Sequence, residues 1–167
     1  LNSSELYGRS LSCEMIEVMA QRYAVSAENR SATEIMNLSF GGSTAKSRIE
    51  SVWEKAYNLI ANTNLIIENC ETHRDVLPDE YYHLIKGEAY ALRAYLHLDL
   101  FRLFGYIYDS ESTSDAIPYY DKFRLDVAPT LSSHEYMEHV ITDLLVAESE
   151  LVNDPIVRFG TAGSSKD

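Results

Sequence analysis

The chain has 167 residues, 46% of them hydrophobic and 11% aromatic, and a formal net charge of -12. That length and apolar content suit one domain with a real core and exclude disorder, while the acidic balance without any Lys/Arg run excludes a nucleic-acid binder. No uninterrupted apolar stretch reaches the ~20 residues a membrane-spanning helix needs, and Leu1-Asn2-Ser3-Ser4 is not a basic-then-apolar leader, so the expected mature form is soluble or already stripped of its leader.

Asn2 and Glu5 have the spacing of a capping box, which predicts a first helix running to about Tyr23 with Tyr7, Leu11, Met15, Val18 and Met19 on one face. From Ala24 to Thr44 the pattern dissolves into polar residues and closes on Gly41-Gly42-Ser43, a long loop of the kind that is functional when ordered. A second helix, about Ala45 to Cys70, gathers Ile49, Trp53, Ala56, Tyr57, Ile60, Asn64 and Ile67 in one stripe, with Asn64 as a buried amide. Cys13 and Cys70 each fall inside a helical pattern and read as small core residues or an optional bridge rather than metal ligands.

Pro78 is placed in the first turn of a third helix and Gly105 to end it in the left-handed conformation, and the short Thr72–Leu77 connection makes helices two and three an antiparallel hairpin. After Gly105 comes a second long excursion, Tyr106-Ile107-Tyr108, an acidic stretch from Asp109 to Asp115, then Ile117-Pro118-Tyr119-Tyr120. A capping box, Ser132 with Glu135, opens a fourth helix with Met137, Val140, Ile141, Leu144, Ala147 and Leu151 as its core stripe, ended by Asn153-Asp154-Pro155. No alternating strand pattern of useful length intervenes. The expected architecture is all-α, a bundle of stacked antiparallel helix pairs with two long loops, residues 1–152 forming the domain and 153–167 a flexible tail.

The third helix, Gly87 to Gly105, is apolar nearly all round yet carries Glu88, Arg93 and Asp99. A wheel places Glu88 and Asp99 with Leu92, Leu96 and Leu103 on the core side, as hydrogen-bond acceptors for neighbouring helices. They are eleven residues apart, about 16 Å along the axis, beyond the roughly 5–9.5 Å of paired glycosidase carboxylates. Arg93 has no acid three or four residues away, so its partner must lie on another helix, and Asp143 is the candidate. Glu80-x-x-His83 is half of a di-iron motif without its second copy, the other histidines have no nucleophile partner, and Asp109, Glu111 and Asp115 lack calcium-loop spacing. No metal, cofactor or catalytic constellation is expected. Tyrosine is the outlier, with 12 copies, and Tyr106, Tyr108, Tyr119 and Tyr120 on non-helical chain offer flat faces with hydroxyl handles that suit sugar rings, though for any one of them packing a loop onto the bundle is the commoner use.

The run Gly87-Glu88-Ala89-x-x-Leu92-Arg93-Ala94-Tyr95, ending in Leu100-x-x-x-Phe104-Gly105, resembles the signature helix of the SusD/RagB family. Trp53-x-x-x-Tyr57-x-x-Ile60-x-x-x-Asn64 is similar to the family's preceding helix, and Asp143-Leu144-x-x-Ala147 to its following one. Thr130-Leu131-Ser132 lacks the arginine often found before the last helix, and Gly105-Tyr106-Ile107-Tyr108 lacks the frequent proline. The resemblance implies a tetratricopeptide-like fold and an N-terminal piece of a longer, lipid-anchored protein at the outer-membrane surface. It further implies non-catalytic capture of an oligosaccharide or polysaccharide together with a SusC-like TonB-dependent transporter. Ligand contacts are expected among Asn37, Phe40, Tyr106, Tyr108, Tyr119 and Tyr120, with Asn64, Glu88, Arg93, Asp99 and Asp143 as structural polar residues. The competing reading is a helical scaffold that binds only protein.

Overall fold

The computed structural model describes residues 1–108 and 114–152, apart from the side chain of Glu80. Asp109, Glu111, the Asn153-Asp154-Pro155 stop and the expected tail lie outside the described residues. The described chain is mostly helical, as expected for an all-α fold, and divides into two compact units, Leu1–Asn58 and Leu59–Asp167. Among the described residues no helix is long and apolar enough to cross a membrane.

In the first unit the expected helix start at Asn2 is replaced by turns. A Cβ on Gly8 would lie 2.7 Å from the carbonyl oxygens of Asn2 and Ser3, so the chain folds back on itself at a position only glycine can fill. A π-helical turn, Ser10–Glu14, then leads into α1, Met15–Met19, which stops well short of Tyr23. Leu6, Leu11, Met15 and Val18 are buried, and Cys13 is exposed and free rather than a core residue. The polar segment after Ala24 is not one loop. Asn29 accepts a hydrogen bond from the Ala32 N–H and caps a short helix, α2, Arg30–Met36, held down by Ala32 and Ile35. Seven residues with two small or medium apolar anchors leave too weak a period to read from sequence.

Helix α2 ends in a Schellman motif, with Leu38 N–H bonded to the Ile35 carbonyl and Ser39 N–H to that of Glu34. The residue that must turn left-handed there is Leu38, at φ 54°, where glycine is the usual occupant. Helix α3 follows, Ser43–Thr72, and the Glu34 carboxylate closes its first turn by accepting from the Ala45 N–H at 2.9 Å and the Thr44 hydroxyl at 2.7 Å. Gly42 makes room for it, since a Cβ there would come within 2.3 Å of the carboxylate.

In the second unit the C-terminal half of α3 pairs with α4, Asp79–Phe104. Glu71 meets Lys86 at 2.5 Å near the connection and Asn64 meets Arg93 at 2.7 Å two turns further in, so the helices run antiparallel as expected. Pro78 sits one position earlier than expected, as the N-cap, and Gly105 is extended at φ -77° rather than left-handed. Glycine is needed at 105 for a different reason: a Cβ there would lie 2.6 Å from the Phe101 carbonyl oxygen. Two short strands, β1, Asp115–Pro118, and β2, Thr130–Ser132, pair antiparallel, an element with too few residues to show alternation.

Helix α5, Ser133–Leu151, begins with the expected capping box at Ser132 and Glu135 and packs on α4, where Gly87 lets Leu151 approach to within 2.6 Å of a virtual Cβ. Its buried stripe is rotated from the expected one. Val140 and Ala147 are buried as read, but Tyr136 and Asp143 complete the stripe while Ile141 and Leu144 face outward, 52% and 47% exposed. The helix turns Asp143 inward to meet Arg93, at the expense of two aliphatic positions. Glu88 is exposed and Asp99 half-buried, bonded to Arg102, because α4 buries the face of Ala89, Arg93, Leu96, His97 and Leu100. A helix apolar on every side gives a wheel no contrast with which to place that face.

Leu38→Gly should stabilise the first unit by roughly 0.5–1 kcal/mol, because it removes left-handed strain at an exposed residue. The gain is read as a higher denaturant midpoint at unchanged slope, and a loss would place the strain elsewhere.

Candidate functional site

The centre of the second unit is a buried polar cluster that fastens the turn after β1 to three helices. Arg93 donates to both carboxylate oxygens of Asp143, Nε to Oδ2 at 2.6 Å and Nη2 to Oδ1 at 2.5 Å. Its Nη1 donates to Asn64 Oδ1 at 2.7 Å and to the Asp121 carbonyl at 2.5 Å. Asn64 returns a bond from Nδ2 to the Tyr120 carbonyl at 2.9 Å, and the Tyr119 hydroxyl donates to Asp143 Oδ2 at 2.6 Å. Each of residues 119, 120 and 121 is thus held by a side chain from α3, α4 or α5.

His97, one helical turn beyond Arg93 and fully buried, is the second centre. Its ring stacks on Tyr119 with centroids 3.8 Å apart, its Nδ1 lies 2.7 Å from the Tyr136 hydroxyl, and its Nε2 lies 3.4 Å from the Tyr120 N–H. Tyr136 donates to the His97 carbonyl, which leaves Nδ1–H to donate to the Tyr136 oxygen and Nε2 to accept from Tyr120. His139 also stacks on Tyr119, with centroids 4.9 Å apart. Sequence reasoning passed over His97 and Tyr136; the available signal was that His97 is four residues from Arg93 and therefore on its face.

Burial acts first on these groups. It pushes the His97 imidazole down to about 3, helped by the nearby Arg93 charge, so the ring is neutral at physiological pH. Burial and the Asp143 carboxylate both raise the Tyr119 phenol above its ordinary range. For Arg93, burial opposes the charge and the Asp143 bonds outweigh it, so the guanidinium ionises even more firmly than usual. At the far end of the same helices Lys86 is clamped between Glu71 at 2.5 Å and Glu150 at 2.9 Å, and His83 meets Glu150 at 2.6 Å.

The six candidate contact residues are spread over this frame. Tyr119 is buried, with only 5% of its surface exposed, and Tyr120 is half-buried, its hydroxyl accepting from the Ala128 N–H. Tyr106 and Tyr108 face solvent at 61% and 51% exposure, with the Tyr108 hydroxyl 3.4 Å from His134. In the first unit Asn37 is the C-cap of α2 and Phe40 is exposed in the short loop that follows. That loop is anchored by Glu34, whose carboxyl the Ala45 N–H, the Thr44 hydroxyl and Arg30 hold down to about 2. Among the described residues no group of three or more His, Cys, Asp or Glu side chains gathers around a possible metal position.

A family profile of SusD-like proteins, described as starch-binding and associating with the outer membrane, matches residues 4–159. The SusD-like protein P38 of Formosa agariphila is 30% identical over 106 residues, which cover 59% of this chain and 18% of that protein. No solved structure matches the chain. The chain therefore spans less than a fifth of the curated relative it matches.

Two outcomes follow from the cluster. Arg93→Ala should cost about 3–5 kcal/mol by stranding Asp143, and Arg93→Met should cost less because it keeps the packing volume. Trypsin should then cut at Lys122 and Arg124 faster in both variants, and equal stability losses would refute the packing contribution. Because His97 is depressed in the folded state, its contribution is complete above about pH 6.5 and is lost as the pH falls toward about 3. Between pH 6.5 and 5 the unfolding free energy should drop by about 2 kcal/mol, and His97→Gln should flatten that slope in denaturant titrations.

Proposed function

We propose that this chain, which belongs to the SusD-like family, is the helical part of a non-catalytic protein that holds glycan at the outer membrane for uptake. The family match over residues 4–159 carries the reading, since proteins of that description bind starch and associate with the outer membrane. The activity is assigned to the whole protein, of which this chain is an N-terminal portion. In that protein a lipid anchor ahead of this segment fixes it to the cell surface, and a SusC-like TonB-dependent transporter receives the captured oligosaccharide or polysaccharide.

Within the second unit Tyr106 and Tyr108 are the contact residues, exposed rings that can lie against the C–H face of a sugar while their hydroxyls bond its edge. Tyr119 and Tyr120, on the turn after β1, serve the ligand by fixing the path of that turn. Asn37 and Phe40 offer an amide and an exposed ring in the first unit. Affinity electrophoresis of the full-length parent through a panel of polysaccharides, starch among them, tests this. Retardation should fall at least about tenfold in affinity for Tyr106→Ala with Tyr108→Ala, the loss of two stacking contacts of ~1 kcal/mol each, with an unchanged melting temperature.

One observation favours a second reading, a scaffold for protein partners: Ile141, Leu144 and Leu145 form an exposed aliphatic strip on α5. Polysaccharide binding that survives both tyrosine changes, or is absent from the parent protein altogether, would favour it.

A further inference from the structure

The first unit holds a hollow of about 400 Å³ that takes no part in the glycan reading above. Every residue of its wall carries a polar group, although the carbon stems of these side chains form part of the surface: Ser4, Ser10, Ser31 and Ser51 supply hydroxyls, Asn29 an amide, and Arg9, Arg48, Glu5 and Glu14 two charges of each sign. No apolar side chain and no aromatic ring lines it, which is unusual for a hollow of this size.

The middle of the wall is an ion pair. Arg48, with only 16% of its side chain exposed, places Nη2 at 2.5 Å from Glu14 Oε2 and 3.4 Å from the hydroxyl of Ser10, itself 2% exposed. Arg9 approaches the same Glu14 oxygen at 2.7 Å. The Glu14 carboxyl is held below the usual carboxylate range, first by the Arg48 hydrogen bond against the opposing effect of burial, so donor and acceptor are both charged at neutral pH. The Oε2 of Glu14 is thus engaged by two guanidiniums. Asn29 gives its carbonyl oxygen to the α2 cap, so only its amide nitrogen is left for another partner, and the Ser31 hydroxyl makes no hydrogen bond to any described residue.

We propose that this hollow is a binding site for a neutral polyhydroxylated molecule of monosaccharide size. A guanidinium beside a carboxylate offers a donor fork and an acceptor a few ångströms apart, the pattern that adjacent hydroxyls on a sugar or polyol satisfy, each accepting one bond and donating another. Balanced charge around the wall disfavours the alternatives: an anion meets Glu5 and Glu14, a cation meets Arg9 and Arg48. Without a ring to stack on, recognition rests on hydrogen bonds alone, so the site is selective for hydroxyl arrangement and weak. It uses residues of the first unit only and does not depend on the tyrosines at 106 and 108.

Isothermal titration of the full-length parent with glucose, galactose, mannose and glycerol, and with sodium sulfate and glutamate as charged comparators, tests the proposal. Saturable binding of at least one neutral compound is expected, with Kd in the millimolar range for so few neutral contacts. Arg48→Lys keeps the charge beside Glu14 but loses the fork, and should weaken binding at least about fivefold. Ser31→Val, at a hydroxyl that supports no other described residue, should weaken it about threefold or more while leaving the melting temperature in place. Tyr106→Ala with Tyr108→Ala should leave it unchanged, which separates this site from the glycan contacts. No saturable neutral ligand, binding of sulfate or glutamate alone, or unaltered affinity in Ser31→Val together with a folded Arg48→Lys would overturn the assignment.

Discussion

The second unit depends on one desolvated ion pair. Placing a guanidinium and a carboxylate out of water costs several kcal/mol per ion, and the pair is tolerated only when every remaining donor and acceptor is used. Here the Arg93 fork takes both oxygens of Asp143, and its remaining nitrogen takes Asn64 and the Asp121 carbonyl. The second acceptor site on Asp143 is filled by the Tyr119 hydroxyl. Satisfying the charges therefore requires helices α3, α4 and α5 and the turn at residues 119–121 to be in register together. An aliphatic core could bring the three helices together as firmly; it could not dictate where that turn runs.

A smaller version of the same device works in the first unit. Glu34 is a single carboxylate at the end of α2 whose oxygens complete the first turn of α3 and bind Arg30, and Gly42 is shaped around it. An anion at a helix start also meets the positive end of the peptide dipoles. The loop that carries Asn37 and Phe40 is therefore short and tied at both ends, by the Schellman motif behind it and the carboxylate ahead of it. In both units a charged side chain fixes a loop: in the first its residues Asn37 and Phe40 stay exposed, and in the second Tyr119 is drawn into the core.

Much of this was legible in the chain and some of it was not, for identifiable reasons. Long helices with full periods and capping boxes, such as α3, α4 and the start of α5, write themselves clearly, and an arginine with no intrahelical partner points to an acid elsewhere. Short elements do not: α2 has too few anchors, and β1 and β2 are too brief to alternate. Faces were misplaced where composition gives no contrast, as on α4, or where a polar residue outcompetes aliphatic ones, as Asp143 does on α5. Glu88 and Asp99 were read inward because they stood among leucines; Glu88 is exposed and Asp99 is half-buried with Arg102 beside it, because the buried face of α4 is the one that carries Arg93 and His97. The roles of His97 and Tyr136 depend on a three-body arrangement of ring, hydroxyl and backbone that no spacing rule within one helix encodes. For the loop tyrosines, sequence supplies the residue type and structure supplies the exposure, which separates the outward 106 and 108 from the inward 119.

The buried cluster contains an imidazole, a phenol and a carboxylate in contact, a set that elsewhere moves protons. Burial fixes their protonation states: the imidazole, held near 3, is neutral at neutral pH, and the phenol, raised above its normal range, is protonated. Fixed protonation states make fixed hydrogen-bond directions, and fixed directions make a stiff turn. Ordering such a turn costs about 0.5–1.5 kcal/mol per side chain, and the Arg93–Asp143 cluster meets that cost during folding.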